Sequence, residues 1–271
     1  MARSVVVTGA SSGIGAVCAA RLAAAGWRVH GGVRNGADAD TLRGRGIEPL
    51  LLDVTDAEQI AAAAETIGDS LDGLVDNAGI AVAAPLELVP LDELRRQLEV
   101  NVVGQVAVLQ AFLPALRAAK GRIVLMGSVG GRSALPFLGP YAASKHALEA
   151  VADCLRVELR PWGMAVSIVE PASIRTSIWE KGAAHAETLR GQLSPGAGEL
   201  YAARLTRFRE VALARGPGAD PEIVAWAVEH ALTAKRPKPR YLIGRDAHIR
   251  AWIERLPTRL RDRVLTRALT H

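Results

Sequence analysis

The sequence predicts an α/β protein built on a doubly wound parallel sheet of about seven strands. Short runs rich in Val, Ile and Leu alternate with longer stretches of helical periodicity. These runs do not alternate polar with apolar residues, which is typical of strands covered by helices on both faces. Strand–helix alternation favours parallel strands joined by helical crossovers, here within a single domain that spans residues 1–271.

The predicted strands and helices alternate along the chain. Strands are predicted at 4–8, 28–33, 49–53, 73–77, 122–128, 165–170 and 241–244. Helices are predicted at 14–25, 56–67, 91–119, 141–162 and 221–234. Asp56 and Gln59 resemble an N-cap with its box partner, and Gly26 and Gly121 stand where helices are expected to end.

Two segments depart from the alternation. Residues 176–218 are an insertion rich in Gly among helix-forming pieces, and such insertions are often substrate lids. A peripheral helical hairpin explains this insertion equally well. Residues 245–271 are predicted as a C-terminal helical extension with one apolar face and many arginines.

Charge is unevenly distributed along the chain. The net charge is +5, and residues 235–271 hold eleven Lys or Arg against three Asp or Glu, so this segment carries +8 and the remainder −3. The basic segment packs on the protein itself, forms an oligomer contact, or lies on a membrane surface. We favour packing or self-association over peripheral membrane contact. Nucleic acid is not expected as a partner, because no aromatic residues are interleaved in a binding motif.

The sequence gives no sign of export or membrane insertion. No apolar run approaches the ~20 residues that span a bilayer, and no signal peptide is apparent. A cytoplasmic location is therefore expected. Cys18 and Cys154 are predicted to be small buried apolar residues rather than a disulfide. No Cys/His cluster suggests a metal site.

A glycine cluster follows the first strand and opens the first helix. Gly9, Gly13 and Gly15 would permit a tight turn, close approach of the backbone to a pyrophosphate, and close packing of helix on strand. The helix N-terminus would offer free N–H groups to phosphates. This context predicts a dinucleotide site.

The end of the second strand bears on the choice of cofactor. A site for NAD usually places Asp or Glu there for the ribose hydroxyls, whereas this chain has Val33 and then Arg34. A guanidinium can bind a 2′-phosphate with forked hydrogen bonds. The sequence therefore favours NADP(H), with NAD(H) as the alternative. The competing interpretation is that Arg34 is an ordinary surface arginine.

Tyr141 and Lys145 lie four residues apart in a predicted helix and therefore share a face. A fixed positive charge would lower the pKa of the phenol from its usual value of about 10. Beside a dinucleotide, this pair would form a proton relay next to a hydride carrier. Taken alone, a tyrosine and a lysine at this spacing are usually just surface neighbours.

Further motifs occur in an order that one protein family shares. They comprise the loop from Thr8 to Gly15, Asp53 with Val54, the run Asn77, Ala78 and Gly79, the four residues Asn101, Ser128, Tyr141 and Lys145, and the segment Pro171, Ala172, Ile174 and Thr176. From residue 3 to about 176 the chain resembles a classical short-chain dehydrogenase/reductase. It departs from the family pattern at Asp76, where the family often has Asn, and at Ala172, which replaces the usual Gly.

The resemblance implies a Rossmann fold and an oxidoreductase that interconverts a secondary alcohol and a ketone, or an aldehyde and its alcohol. Tyr141 would exchange the proton, Lys145 would lower the pKa of Tyr141 and bind the nicotinamide ribose, and Ser128 would polarise the substrate oxygen. Asn101 would hold a water that links Lys145 to solvent. The implied cofactor contacts are Gly9, Ser11, Ser12, Gly13, Ile14, Arg34, Asp53, Val54, Asn77, Ala78, Gly79, Tyr141, Lys145, Pro171, Ile174 and Thr176. A homodimer or homotetramer is also implied.

Within the family, Arg34 and the sequence around Tyr141 look more like the branch of 17β-hydroxysteroid and retinol dehydrogenases. That likeness favours an apolar substrate, for which residues 135–138 would supply an apolar wall. Two other functions stay open on the same scaffold. One is an NADP-sensing regulatory protein without turnover, and the other is a lyase or epimerase.

Overall fold

The computed structural model describes residues 2–191, 195–214, 216 and 218–270. The strands are β1 (Ser4–Val7), β2 (Arg28–Val33), β3 (Glu48–Leu51), β4 (Gly73–Asp76), β5 (Arg122–Met126), β6 (Ala165–Pro171) and β7 (Arg240–Ile243). They form one sheet in the order β3-β2-β1-β4-β5-β6-β7, and every neighbouring pair is parallel. The predicted doubly wound sheet is confirmed. The first and last residue of each strand lie within about two residues of the predicted positions.

Helices cover both faces of this sheet. They are α1 (Gly13–Ala24), α2 (Gly36–Arg43), α3 (Ala57–Ile67), α4 (Leu91–Leu98), α5 (Gly104–Ala119), α6 (Gly139–Glu158), α7 (Ser177–Gly191), α8 (Pro195–Ala214), α9 (Glu222–Thr233), α10 (Arg245–Ile253) and α11 (Thr258–Thr270). Adjacent residues of β1 point to opposite faces, so Val5 and Val7 join one core with α1 and α9. Val6 joins a second core with α3 and α5. This double burial explains why the strands read as continuous apolar runs.

The sequence did not predict α2. Its eight residues lack an apolar stripe, and Leu42 is its one buried side chain. The helix instead begins at a side-chain cap, because Asn35 accepts a hydrogen bond from the Asp38 amide at 2.9 Å. The predicted cap of α3 is confirmed, since Asp56 accepts from the Glu58 and Gln59 amides.

The predicted helix at 91–119 is interrupted. A π-helical turn at Glu99–Val103 separates α4 from α5, and such turns often occur at functional sites. By length and composition alone, the stretch Leu91–Ala119 could cross a membrane, with a mean hydropathy of 1.5. In the fold, this stretch supplies Phe112 and Leu116 to the core, both at most 1% exposed.

The insertion at 176–218 contains α7 and α8, and α11 packs against α8. Its role as a lid remains a prediction. Cys18 is buried as expected, but the prediction for Cys154 is wrong, because this thiol lies on the exposed side of α6.

Candidate active site

The glycine loop has the geometry that its sequence predicts. Gly9 (φ +64°) and Gly13 (φ +57°) adopt left-handed backbone that other residues rarely take. A Cβ on Gly15 would overlap the carbonyl oxygen of Gly9 and lie 2.5 Å from the amide nitrogen of Asn77. At position 15, α1 therefore lies so close to the Gly9 carbonyl and the Asn77 side chain that a residue with a Cβ atom would clash.

Thr8 ties this loop to the end of β4. Its hydroxyl oxygen accepts hydrogen bonds from the amides of Asn77 (2.8 Å) and Ala78 (2.9 Å). The Asn77 side chain donates back to the Thr8 carbonyl at 2.9 Å. Thr8 was not among the predicted site residues, since a threonine at a strand end carries no distinctive pattern.

A cavity of about 790 Å³ opens at the carboxyl ends of these strands. Every cofactor contact implied by the resemblance lines it, as do Asn101 and Ser128. It lies where β1 has β2 on one side and β4 on the other, the switch point at which open α/β sheets bind ligands. The cavity and the glycine geometry together fit a dinucleotide.

Arg34 lies exposed at the edge of this cavity. Arg28 at the start of β2 is paired with Glu48, and Arg43 of α2 is paired with Asp40. Over the described part of the chain, no ion pair or hydrogen bond engages the Arg34 side chain. Its guanidinium is thus available to an anionic group in the cavity.

The structure brings Tyr141, Lys145 and Ser128 together. Lys145 Nζ lies 5.9 Å from the centre of the Tyr141 ring and donates to the Met126 carbonyl at 2.7 Å. Ser128 Oγ accepts from the Gly130 amide at 3.0 Å. All three side chains are buried and line the same cavity. Their catalytic roles remain predictions.

Burial dominates the protonation of this group. It raises the pKa of Tyr141 above its ordinary value, while a hydrogen bond with Ser128 and the charge of Arg250 lower it. Burial also lowers the pKa of Lys145 to about 8. The expected lowering of the Tyr141 pKa by Lys145 is therefore not observed. Tyr141 is a neutral phenol at neutral pH, which is the form that can donate a proton.

Asn101 is fully buried in the π-helical turn, and its side chain makes hydrogen bonds with backbone groups. Its side chain accepts from the Ile80 amide (2.9 Å) and donates to the Ile80 carbonyl (3.0 Å). Gln97 binds the same loop through the Val82 amide at 2.7 Å. The side-chain amides of Gln97 and Asn101 both donate to Ser144 Oγ as well. These bonds fix the loop after β4 to α6, and the predicted water of Asn101 stays a prediction.

Sequence reasoning missed Gln97 and Ser144. The available signal was spacing, because Gln97 lies four residues before Asn101 and Ser144 immediately precedes Lys145. All three polar side chains of this cluster have no exposed surface. Buried polar groups that are fully paired hold a site rigid.

A second cavity of about 840 Å³ adjoins the first, and both are lined by Ser128 and Tyr141. The predicted apolar wall at 135–138 lines it. Trp179 of α7 packs edge-on against Tyr141 at 5.4 Å between ring centres, and Phe208 of α8 packs against Phe137 at 5.6 Å. The sequence did not reveal these inward-facing aromatics of the insertion.

Ion pairs connect β6, β7 and α6. Glu170 at the end of β6 is fully buried, with Arg132 and Arg240 each at 2.8 Å. Arg240 also pairs with Glu149 of α6. In the described ranges, no group of three or more His, Cys, Asp or Glu side chains is placed to hold a metal ion.

Comparison with known proteins defines the class of this fold and site. Residues 3–187 match the family model described as short chain dehydrogenase. The chain belongs to the short-chain dehydrogenase family and is an oxidoreductase.

Individual relatives agree with that membership. The chain is 34% identical to the NADPH-dependent 3-dehydrocapnine reductase of Ornithobacterium rhinotracheale, over 98% of this chain and 97% of that protein. It is 36% identical to the 17-beta-hydroxysteroid dehydrogenase type 6 of Homo sapiens, over 97% and 88%. This confirms the predicted likeness to the hydroxysteroid branch.

Solved structures share the fold over its whole length. A short chain dehydrogenase from Burkholderia cenocepacia J2315 in complex with NADP superposes with a TM-score of 0.77 at 26% identity. That match covers 100% of this chain and 98% of the other.

Proposed function

We propose that this oxidoreductase uses NADP(H) to interconvert a secondary alcohol and a ketone, or an aldehyde and its alcohol, on an apolar small molecule. One observation carries the proposal. Ser128 and Tyr141 line both cavities, so the proton donor borders the dinucleotide cleft and an apolar chamber at once. A substrate carbonyl placed there would meet both hydroxyl groups.

The glycine loop, Arg34 and the loop after β4 would hold the dinucleotide, which supplies or accepts the hydride when bound. The protein's own residues handle the proton. In reduction, negative charge develops on the substrate oxygen, and Tyr141 O–H donates its proton there. The Ser128 hydroxyl, whose bond to the Pro171 carbonyl is long at 3.5 Å, can turn to donate to the same oxygen. Two fixed donors stabilise the developing charge.

NADP(H) is favoured over NAD(H) by the unengaged guanidinium of Arg34. The naming of one relative as NADPH-dependent and the NADP bound in one neighbouring structure support the same choice.

Arg34→Ala tests this choice. We expect the KM for NADPH to rise about 10- to 100-fold, because charge-assisted hydrogen bonds contribute about 1.5–3 kcal/mol. The KM for NADH should change little. Steady-state kinetics with both cofactors measure the difference, and Arg43→Ala, an exposed arginine paired with Asp40, is the matched control. An equal rise for both cofactors would contradict a 2′-phosphate contact.

Trp179→Ala tests the apolar chamber. We expect the KM for a bulky apolar ketone to rise at least about tenfold, since burying an aromatic side chain contributes roughly 2–3 kcal/mol. A small ketone should be affected much less. Trp226→Ala, an exposed tryptophan on α9, serves as control. A uniform loss with all ketones would place Trp179 in support of Tyr141 instead of in substrate binding.

The function itself is tested by NADPH absorbance with a graded panel of ketones and aldehydes. Steady NADPH consumption supports the proposal. Binding without turnover supports a regulatory sensor, and product without net change in cofactor supports a lyase or epimerase.

We also propose a cytoplasmic homodimer or homotetramer. Val103, at the end of the π-helical turn, and Val157 of α6 are 52% and 72% exposed, and outward apolar side chains of this kind suit a contact between copies. Light scattering would measure the assembly. The C-terminal extension partly packs on the body, since Leu265 lines the second cavity, while Trp252 stays 62% exposed.

A further inference from the structure

Asp76, the last residue of β4, is a fully buried carboxylate beneath the cofactor loop. Its Oδ1 accepts a hydrogen bond from the Thr8 hydroxyl at 3.1 Å. Its Oδ2 is buried and has no hydrogen-bond partner among the residues that the structure describes. Unsatisfied buried carboxylate oxygens are costly, so this atom calls for an explanation.

The strand register brings Asp76 close to Lys145. Asp76 pairs with Leu125 of β5, and the next residue of that strand, Met126, supplies the carbonyl that binds Lys145 Nζ at 2.7 Å. The ammonium and the carboxylate therefore lie in one buried region, and each acts electrostatically on the other.

A carboxylate is not needed for the hydrogen bond that joins the end of β4 to Thr8. An asparagine would accept the same hydrogen bond from Thr8 through its amide oxygen and would avoid the cost of burying a charge. Burial raises the pKa of Asp76 to about 7, against the opposing effects of Thr8 and Lys145. A buried titratable group with a specific charged neighbour in a cleft is a candidate for function.

Among the described residues, the titratable groups near Lys145 are Asp76, Glu149 and Tyr141. Asp76 faces Thr8 from β1 and Lys145 from α6. Lys145 is acted on by Asp76 and, less strongly, by Glu149, which is paired with Arg240. Both acids oppose the burial that lowers the pKa of Lys145. Asp76 is therefore the main group that favours the charged form of the lysine.

We propose that Asp76 is a positioning residue that acts through Lys145, its carboxylate holding the buried ammonium in its charged form on the alkaline side of neutral pH. The proposal rests on the oxidoreductase function above and on the contact with the nicotinamide ribose that the family resemblance implies for Lys145. Asp76 itself touches neither substrate nor cofactor in this role.

Asp76→Asn tests the proposal, because it keeps the shape and the Thr8 bond but removes the charge. The alkaline limb of the kcat/KM profile for NADPH-dependent reduction should move about one unit to lower pH, as expected for the loss of one buried charge near another. Asp72→Asn is the matched control, since Asp72 precedes the same strand and accepts from the Ser4 amide at 2.8 Å, at the far end from Lys145. A profile of Asp76→Asn that overlays the wild type, or an equal shift in Asp72→Asn, overturns the proposal.

A second measurement needs no turnover. The carboxyl ¹³C resonance of Asp76 is followed with pH in the wild-type protein and in Lys145→Met. Removal of the ammonium should raise the titration midpoint of Asp76, and an unchanged midpoint overturns the coupling. Because this readout is independent of any substrate, it separates failure of the coupling from failure of the proposed reaction, and it decides the matter if Asp76→Asn does not fold.

Discussion

Tyr141→Phe is expected to lower kcat for carbonyl reduction by about 1,000-fold, since a positioned general acid contributes roughly 10²- to 10⁴-fold. The change removes one hydroxyl from a ring that stays packed against Trp179. Burial keeps Tyr141 protonated, so the wild-type phenol is ready to donate at neutral pH. Steady-state kinetics and NADPH fluorescence titration would show a loss of turnover far larger than any loss of cofactor affinity.

Tyr201→Phe is the matched control for that variant. The Tyr201 hydroxyl is exposed and donates to Glu87 at 2.6 Å, and Tyr201 does not line the cofactor cavity. It should therefore retain nearly full activity. If Tyr141→Phe kept more than about a tenth of wild-type kcat, the proton would have to come from another group, and the assignment would fail.

Much of the fold could be predicted from the sequence because buried parallel strands leave a strong pattern. Val5, Val6 and Val7 are apolar on both faces of β1, and that double burial appears in the sequence as an unbroken run. In contrast, α2 depends on the Asn35 cap and on one buried leucine, which leaves no periodic signal. The π-helical turn around Asn101 is invisible for a similar reason, since it changes the hydrogen bonding of an otherwise helical sequence.

The site was predictable where it rests on local geometry. The glycine loop and the four-residue spacing of Tyr141 and Lys145 are set by backbone conformation, which the sequence constrains directly. The sign of the Tyr141 pKa shift was not predictable, because it depends on burial by residues distant in the chain. The inward faces of α7 and α8 likewise depend on how the insertion docks, so Trp179 and Phe208 could not be assigned.

Short polar contacts give the site its rigidity. Thr8 joins the ends of β1 and β4, and Asn101 joins the following loop to α6 through Ser144. Glu170 joins β6 to β7 through Arg240. These contacts link strand ends to one another and the loop after β4 to α6, so the donors around the substrate oxygen are held in place before a substrate arrives. Preorganisation of this kind is how fixed dipoles stabilise a transition state.

Gly15→Ala is expected to abolish measurable NADPH binding and to lower Tm by about 5–10 °C. Forcing a methyl group into a packed site costs about 1–3 kcal/mol, and in a protein of this size 1 kcal/mol corresponds to about 2–4 °C. The new Cβ would overlap the Gly9 carbonyl oxygen and approach Asn77 Nδ2 at 2.5 Å. Asn77 cannot yield freely, because Thr8 holds its backbone and side chain.

Gly36→Ala is the control for this substitution. Gly36 begins α2, and a Cβ there would meet nothing within 4 Å, so an alanine should leave Tm unchanged or slightly raised. Differential scanning calorimetry with and without NADPH would compare both variants. If Gly15→Ala were stabilised by NADPH as strongly as the wild type, the loop could move aside without losing its ligand. The close approach of α1 to Gly9 and Asn77 would then be a packing feature and not the basis of dinucleotide binding.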